Sequence, residues 1–232
     1  MADEKAERYI RSSSEADARA YAVNYGVHKE GMTKEEIAEY YSDWAKKGTY
    51  DNDLGPERYQ GPQYAADVLS KYFNANRATV KVLDVASGTG LLGDKLFQMG
   101  FRNIDALDPA EGMLSVARKK NSYKDYLCEF MDGHKLDIQN DTYDCVVVSG
   151  GMGEGHIPCK AIPEMIRIAK PGGLVCIVMR EEFLSYVKEY IDRLEPLFKK
   201  LEEEGKWQSI SRIIVPRFYC NKDGVIFQYK VL

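Results

Sequence analysis

The chain has 232 residues, a hydrophobic fraction of 44% and a formal net charge of -4 at pH 7. This length favours one α/β domain over two, with some length left for additional helices. A mildly acidic chain has no general electrostatic attraction to nucleic acid, and no stretch approaches the roughly 18 apolar residues that span a bilayer. We therefore expect neither a nucleic-acid nor a membrane partner, and the charged start, Met1–Lys5, is not typical of a signal peptide.

The five cysteines show no CxxC spacing, which would indicate a zinc site or a redox motif. Two of them, Cys145 and Cys176, lie within apolar runs that are typical of buried strands. Free thiols of this kind are usual in a reducing compartment. We expect five free cysteines, no metal site and a cytoplasmic protein.

Residues 1–61 are predicted to form helices and a loop. Thr33 and Glu36 have the spacing of a capping box, in which each side chain bonds the backbone of the other residue, so a helix is expected to begin there. The stretch Gly48–Gly61 is rich in Gly, Asp and Asn and is predicted to be a loop. We interpret this region as a helical cap that forms one structural unit with residues 62–232.

From residue 62 onward, predicted strands and helices alternate. The strands are short apolar runs at Val80–Val85, Ile104–Leu107, Tyr126–Phe130, Tyr143–Val148 and Leu174–Met179. The helices are Pro62–Tyr72, Leu91–Met99, Met113–Lys120, Ala161–Ala169 and a long amphipathic Phe183–Glu204. Such alternation predicts a parallel sheet with helices on both faces.

The last two predicted strands, Ile210–Tyr219 and Val225–Val231, are joined only by Asn221–Gly224. A connection this short joins antiparallel neighbours, because a parallel crossover needs about a dozen residues or more. The predicted fold is therefore α/β: a doubly wound, seven-stranded, mainly parallel sheet with an antiparallel last strand, covered by an N-terminal helical cap.

A glycine-rich turn, Ala86–Gly90, follows the first predicted strand and leads into a helix. Glycines let a ligand approach the main chain closely, and a helix N-terminus presents unpaired N–H groups. The turn therefore predicts a site for a polar or anionic ligand group, and Asp84 before it is placed to face an ammonium. Gly93 completes a GxGxxG pattern, so the turn alone does not exclude a nicotinamide dinucleotide.

Polar residues also follow the next two predicted strands. Asp108 is placed to accept two ribose hydroxyls, or to cap the helix that begins near Pro109. Asp132 and Gly133 are placed to contact an adenine through a carboxylate and a backbone amide, and the alternative is a plain surface turn.

The fourth strand is followed by a loop with four glycines, Ser149–His156. Ligands of such folds bind at the carboxyl ends of the strands. Glu154 and His156 are candidate acid–base residues, because histidine has the unperturbed pKa nearest neutrality. The alternative is that His156 only shapes the loop.

Together, these segments resemble the motifs of the class I methyltransferases that use S-adenosylmethionine (SAM). Leu83–Gly90 is similar to their motif I, Asp108–Leu114 to their D-x-S-x-x-M-L segment, and Ile162–Leu174 to their E-x-x-R-x-L-K-P-G-G-x-L stretch. Ala110, Gly112 and Ala169 are the departures from these patterns.

The N-terminal region extends this resemblance. Tyr40–Ala45, followed by Tyr50 and Asp51, resembles the helix that often covers SAM in these enzymes. More narrowly, the chain resembles the Williams–Beuren-region methyltransferase-like proteins. The residues that carry this closer resemblance are Tyr50–Pro62, Gly151–Pro158 and Ala161–Leu174.

The resemblance implies that SAM is the cofactor and S-adenosylhomocysteine the product. The cofactor-binding residues that it implies are Trp44, Tyr50, Asp84, Ala86, Ser87, Gly88, Thr89, Gly90, Asp108, Pro109, Met113, Asp132, Gly133, Ser149 and Gly150. Trp44 and Tyr50 are expected to cover the site, which suits the sulfonium cation because an aromatic face attracts a cation.

The expected reaction is transfer of a methyl group to an oxygen or nitrogen of a small molecule. The loop after the fourth strand lacks the N/D-P-P-Y sequence of many enzymes that methylate nucleobases or glutamine, because Ser149–Met152 stands there. His156 or Glu154 is the expected base, and Arg180 and Tyr219 are expected to line the acceptor site. The alternatives are a nicotinamide-dependent oxidoreductase and a SAM-binding partner protein without catalysis, while the acceptor and the oligomeric state remain open.

Overall fold

The computed structural model describes residues 14–232. The start Met1–Lys5 and the rest of residues 1–13, which open the predicted cap, lie outside the described residues. Among the residues from 14 onward, no helix is both long enough and apolar enough to cross a membrane.

A seven-stranded sheet forms the centre of the molecule. Its strands are β1 (Lys81–Val85), β2 (Asn103–Leu107), β3 (Tyr126–Leu127), β4 (Tyr143–Ser149), β5 (Ala169–Arg180), β6 (Trp207–Tyr219) and β7 (Lys222–Val231). They lie in the order β3-β2-β1-β4-β5-β7-β6. The first five strands pair in parallel, and β7 is antiparallel to both β5 and β6. The predicted fold class is confirmed.

Helices cover both faces of this sheet. Those before it are α1 (Glu15–Gly26), α2 (Lys34–Lys46), α3 (Tyr50–Asp53) and α4 (Gly61–Tyr72). Those that connect its strands are α5 (Leu91–Gln98), α6 (Glu111–Lys120), α7 (Ile162–Ile168), α8 (Phe183–Tyr186) and α9 (Leu194–Glu203). Alternate residues of one strand face opposite layers, since Val146 and Val148 of β4 belong to one apolar core while Cys145 and Val147 belong to the other. This burial on two faces explains why β4 is continuously apolar.

Helix α2 begins as predicted. The Thr33 hydroxyl accepts a hydrogen bond from the Glu36 N–H at 3.2 Å, and the Glu36 carboxylate accepts one from the Thr33 N–H at 2.8 Å. The helix then crosses α6 closely, because a Cβ atom at Gly112 would lie only 2.6 Å from the main chain of Ser42. Gly112, a departure from the family pattern, thus lets the cap approach the sheet domain.

Three local predictions need correction. The predicted loop Gly48–Gly61 contains the short helix α3, and the predicted third strand is reduced to the two residues of β3. The turn between the last strands is tighter than predicted, because Tyr219 already pairs with Lys222. Cys220 reaches the left-handed backbone region, with φ 52°, to make this two-residue turn.

The predicted long helix Phe183–Glu204 is wrong, because the chain forms α8 and α9 with a break between them. Pro196 lacks an N–H group, and its ring would clash with the carbonyl four residues earlier in a helix. Proline is therefore tolerated only in the first turn of a helix, and α9 begins two residues before it. Asp192 in the break has φ 52°. The break also brings Tyr190 to the loop after β4, where its hydroxyl donates to the Ile157 carbonyl at 2.7 Å and accepts from the Gly153 N–H at 2.9 Å.

Candidate active site

The turn after β1 is tied to the end of β2. The Ser87 N–H donates to the Leu107 carbonyl at 3.2 Å, and the Gly88 N–H donates to the Asp108 carboxylate at 2.8 Å. Gly88 and Gly90 have φ values of 57° and 89°, in the region that favours glycine. The turn therefore holds a left-handed backbone next to a carboxylate, with α5 beginning directly after it.

Asp84 is buried at the end of β1, with 1% of its surface exposed. Burial raises the pKa of this carboxyl to about 7, although the hydrogen bond from the Tyr123 hydroxyl, at 2.7 Å, opposes that shift. Gly93 makes room for this tyrosine, because a Cβ atom there would overlap the Tyr123 ring. The third glycine of the GxGxxG pattern thus serves the packing that holds Asp84.

Asp108 does not cap α6, because the N-cap position of that helix is Ala110 and no side chain caps it. One carboxylate oxygen accepts the Gly88 N–H, and the other accepts the Ala110 N–H at 2.9 Å at the start of α6. Burial raises the pKa of Asp108 to about 6, against the lowering effect of these two hydrogen bonds. Each carboxylate oxygen has a second acceptor position, so a ribose diol still fits here.

Two adjacent chambers open at the carboxyl ends of the strands. The inner chamber holds about 650 Å³ of empty space, and its lining includes Asn24, His28, Tyr50, Tyr59, Gly88, Arg180 and Tyr219. The outer chamber holds about 850 Å³, and its lining includes Lys34, Ala38, Pro109, Phe130, Asp132 and Ile157. Tyr41, Asp108 and His156 belong to both chambers and lie where they meet.

His156 is held as a neutral ring of defined tautomer. Its Nδ1 lies 2.7 Å from the Glu154 carbonyl, which only accepts, so Nδ1 carries the hydrogen. Its Nε2 therefore accepts from the Tyr41 hydroxyl at 3.0 Å. Burial lowers the pKa of His156 to about 4; the bond to Glu154 opposes this shift and Arg180 adds to it.

These contacts bear on the acid–base roles predicted for His156 and Glu154, which stay predictions. The lone pair of His156 is already engaged by Tyr41. Glu154 contributes its main-chain carbonyl rather than its carboxylate. His28 is stacked on His156 at a centroid distance of 4.6 Å, and its buried Nδ1 has no hydrogen-bond partner.

Trp44 lies behind the cleft rather than over it, with 2% of its surface exposed. Its indole N–H donates to Asp53 at 2.9 Å, and its ring packs on Tyr41 and Tyr50 at centroid distances of 6.2 and 4.8 Å. Tyr50 is the residue near the turn, since a Cβ atom at Gly88 would lie 3.5 Å from its hydroxyl. The two tyrosines therefore line the inner chamber, and Trp44 packs against them from behind.

Asp132 lines the outer chamber together with residues from the cap. Lys34 of α2 donates to Asp132 at 2.5 Å and lies 4.6 Å from the centre of the Phe130 ring. Burial raises the pKa of Asp132, but the bonds from Lys34 and His134 outweigh it and the net shift is downward. Gly133 turns the chain with φ 92° against the carbonyl of Lys160.

Sequence reasoning missed most of the cap residues in the inner chamber. Asn24 and His28 come from the end of α1 and the residues after it, and Tyr59 comes from the segment before α4. The Tyr59 hydroxyl lies 3.4 Å from that of Ser149, and burial raises its pKa to about 12. No motif marks these three positions. The high tyrosine content of the chain, 16 residues, was a signal for Tyr59 alone.

The residues at the turn fit SAM. Asp84 and Asp108 supply buried carboxylates for an ammonium and for a diol. The buried hydroxyl of Ser87 has no hydrogen-bond partner, which leaves a polar atom for a ligand at the turn. Pro109 lines the outer chamber, and Met113, Ser149 and Gly150 line the inner one.

Comparison with known proteins gives the family. A family model described as a methyltransferase domain matches residues 82–173. The human "Methyltransferase-like protein 27" is 32% identical over 180 residues, which are 78% of this chain and 71% of the relative. A "Demethylmenaquinone methyltransferase" of Renibacterium salmoninarum is 34% identical over 121 residues, which are 50% of this chain and 50% of that relative.

Solved structures agree on the fold. A chain from the complex between the Haloferax volcanii Trm112 methyltransferase activator and a methyltransferase superposes with a TM-score of 0.60 at 14% identity, covering 82% of this chain and 97% of the other. A SAM-dependent methyltransferase from Aquifex aeolicus superposes with a TM-score of 0.55 at 20% identity, covering 82% and 98%. The family resolves the ambiguity of the GxGxxG pattern in favour of SAM. This chain belongs to the class I SAM-dependent methyltransferases, with SAM as its cofactor.

Proposed function

We propose that this protein transfers the methyl group of SAM to an oxygen or nitrogen of a small molecule bound in the inner chamber. The supporting observation is that this chamber, of about 650 Å³, lies directly beside the turn after β1 and is covered by cap residues. The net charge of -4 is consistent with an acceptor that is not a nucleic acid.

In this proposal SAM extends across both chambers. Its ammonium binds near Asp84 and its ribose at Asp108, while its adenine enters the outer chamber beside Asp132 and Gly133. Gly88 and Gly90 lie along its methionine part. Tyr50 packs over it, so that the methyl group points into the inner chamber.

SAM supplies a methyl carbon that the sulfonium has already activated. The acceptor atom forms the new bond to this carbon, the electron pair of the carbon–sulfur bond stays on sulfur, and the acceptor gives up one proton. The chain aligns the acceptor and excludes water through Tyr41, Tyr50 and Tyr59. The neutral His28, which lines the inner chamber beside His156 and Tyr41, is our proposed proton acceptor.

The proposed base is tested by comparing two histidine substitutions. His28→Ala is expected to lower kcat by about 100-fold, in the range of general-base catalysis, with little change in SAM affinity. His156→Ala is expected to lower kcat less, because its lone pair is engaged by Tyr41. Equal losses of kcat, or a loss of SAM affinity that matches the loss of kcat in His28→Ala, would reject this assignment.

The methyltransferase proposal is tested by incubating the protein and SAM with a small-molecule extract. We expect one component to gain the mass of a methylene group, and we expect no such gain with Asp108→Ala. If SAM binds by calorimetry and no component of any extract gains this mass, the methyltransferase proposal fails in favour of a SAM-binding partner without catalysis.

The five cysteines are free among the described residues. Free thiols are usual in a reducing compartment, which supports the further proposal of a cytoplasmic enzyme.

A further inference from the structure

Arg180, the last residue of β5, is a buried cation without an anion. Only 6% of its surface is exposed. One guanidinium nitrogen, Nη2, donates to the side-chain carbonyl of Asn24, and the rings of Tyr219 and Phe183 lie 4.2 and 5.2 Å from the guanidinium carbon. Within residues 14–232, no carboxylate forms an ion pair with it. A buried charge is normally paired, because taking it out of water is unfavourable.

The carboxylates around the chamber are already engaged elsewhere. Glu182, two residues further along the chain, pairs with Lys222 at 2.9 Å. Asp84 accepts from Tyr123, and Asp108 accepts from two main-chain N–H groups. The protein therefore offers Arg180 a neutral amide and two aromatic rings, and its positive charge remains uncompensated in a chamber that it lines.

The guanidinium keeps one complete edge for a ligand. Nη2 carries two hydrogens, and Asn24 takes one of them. Whichever hydrogen is used, a pair of parallel N–H donors remains along one edge, in the plane of the group. Such an edge matches the two oxygens of a carboxylate, whereas a phosphate has a higher charge and more oxygens than one guanidinium edge satisfies.

Two further buried atoms in the same chamber have no partner. The Nδ1 of His28 and the hydroxyl of Tyr219 are both buried without a hydrogen bond. Both residues line the chamber together with Arg180. Unpartnered buried polar atoms are rare in proteins, so their occurrence beside an unpaired cation indicates a missing polar ligand.

We propose that the methyl acceptor is a small carboxylate-bearing molecule, and that its carboxylate binds the free edge of Arg180 in the inner chamber. This rests on the proposed function, which places the acceptor in that chamber. The carboxylate is the anchor and a different oxygen or nitrogen is methylated, because an oxygen that accepts from a guanidinium is a poorer nucleophile. The aromatic rings of Tyr59 and Phe218 in the lining suit an apolar body between the two groups.

The electrostatics of the complex support an anionic acceptor. SAM carries a sulfonium, an ammonium and one carboxylate, so it brings a net positive charge to a cleft that already holds the charge of Arg180. Burial lowers the pKa values of His28 and His156, and the charge of Arg180 lowers them further, so neither ring compensates for it. A carboxylate supplies the one negative charge that this half of the cleft lacks.

The test uses acetate as the probe, with acetamide as its neutral counterpart of similar shape. The full chain is saturated with S-adenosylhomocysteine, and each probe is titrated by calorimetry at constant ionic strength. We expect acetate to bind at least about 10-fold more tightly than acetamide, in keeping with a charge-assisted pair of hydrogen bonds. Equal binding of the two probes, or no acetate binding, would overturn the proposal without any variant.

Two variants assign the site to Arg180. Arg180→Gln is expected to weaken acetate binding at least about 10-fold while changing the affinity for S-adenosylhomocysteine less than about 2-fold. Arg180→Lys keeps the charge and is expected to retain part of the acetate binding. Arg212→Gln, on the exposed strand β6, is the matched control and is expected to bind acetate normally.

The outcomes separate this proposal from the proposed function. If Arg180→Gln loses S-adenosylhomocysteine and acetate to the same extent, Arg180 serves the carboxylate of the cofactor and the acceptor proposal is wrong. If the wild-type chain binds S-adenosylhomocysteine and does not prefer acetate, only the acceptor proposal fails. If it does not bind S-adenosylhomocysteine, the proposed placement of SAM fails first.

Discussion

The two halves of the cleft are built in opposite ways. The cofactor half uses strand ends and main chain: the turn after β1, with Asp84 before it and Asp108 beside it. The acceptor half uses side chains from the cap that meet Arg180 at the end of β5. The first half carries buried carboxylates, and the second carries a buried guanidinium. The division of charge matches a cationic cofactor on one side and an anionic acceptor on the other.

The halves also differ in what holds them together. The cofactor half is fixed by hydrogen bonds within the sheet domain, such as that from Tyr123 to Asp84. The acceptor half depends on contacts between distant parts of the chain: Tyr41 and His156 are 115 residues apart, and Asn24 and Arg180 are 156 apart. Substitutions in the first half should therefore affect SAM, and those in the second should affect the acceptor.

The largest effect is expected from Asp108→Ala. It removes up to two charge-assisted hydrogen bonds to the ribose, each about 1.5–3 kcal/mol, so SAM affinity should fall at least about 10-fold for one lost bond and at least about 100-fold for two. Calorimetry with SAM measures this, and Glu203→Ala on the exposed face of α9 is the control. An affinity within about 3-fold of the wild type would reject the ribose role and the comparison built on it.

The next effect is the pH dependence of SAM binding. The pKa of Asp84 is raised to about 7 by burial, so below pH 7 the free protein holds this carboxyl protonated. An ammonium ligand favours the carboxylate, so binding must release the proton, and affinity should fall about 10-fold per unit as pH drops below 7. Calorimetry between pH 5.5 and 8 should show this slope in the wild type, with its midpoint near pH 7.

Asp84→Asn is the matching variant, because it keeps the shape of the side chain and cannot titrate. Its SAM affinity should be low and nearly independent of pH in this range. A slope that persists unchanged in Asp84→Asn would assign the proton to another group, with Asp108, whose pKa is raised to about 6, as the next to test.

The sequence predicted the positions of the turn, Asp84 and Asp108 at the strand ends correctly, because the signals there are local. An apolar run that ends at glycines and an acid at the next strand end lie within about two dozen residues of each other, and each has a physical reason that stands without tertiary contacts. The capping box at Thr33 is equally local and is confirmed. The short connection before β7 predicted its antiparallel direction correctly for the same reason.

Arg180 and Tyr219 line the inner chamber as expected, but most of the acceptor half could not be predicted in this way. Asn24 lies on a helix whose apolar positions form no clear stripe, and its partner Arg180 is far away in the sequence. The wrong prediction of one helix over Phe183–Glu204 has a different cause. The amphipathic pattern continues across Pro196, but a proline in the interior of a helix breaks it. The role predicted for Trp44 stays a prediction, because helical spacing shows which face is apolar and does not show which ring reaches the ligand.

The smallest effect is expected from Trp44→Phe, which tests that last point. If Tyr50 covers SAM and Trp44 only supports it, Trp44→Phe should change SAM affinity less than about 3-fold, because the lost indole N–H leaves Asp53 paired with Arg19. Tyr50→Leu should weaken binding about 10-fold, since the cation–aromatic contact with a desolvated sulfonium is worth about 1–2 kcal/mol. Both affinities are measured by calorimetry at pH 8, where Asp84 is ionised. The reverse order, with Trp44→Phe the weaker binder, would place the indole over SAM and show that the cap closes further when the cofactor binds.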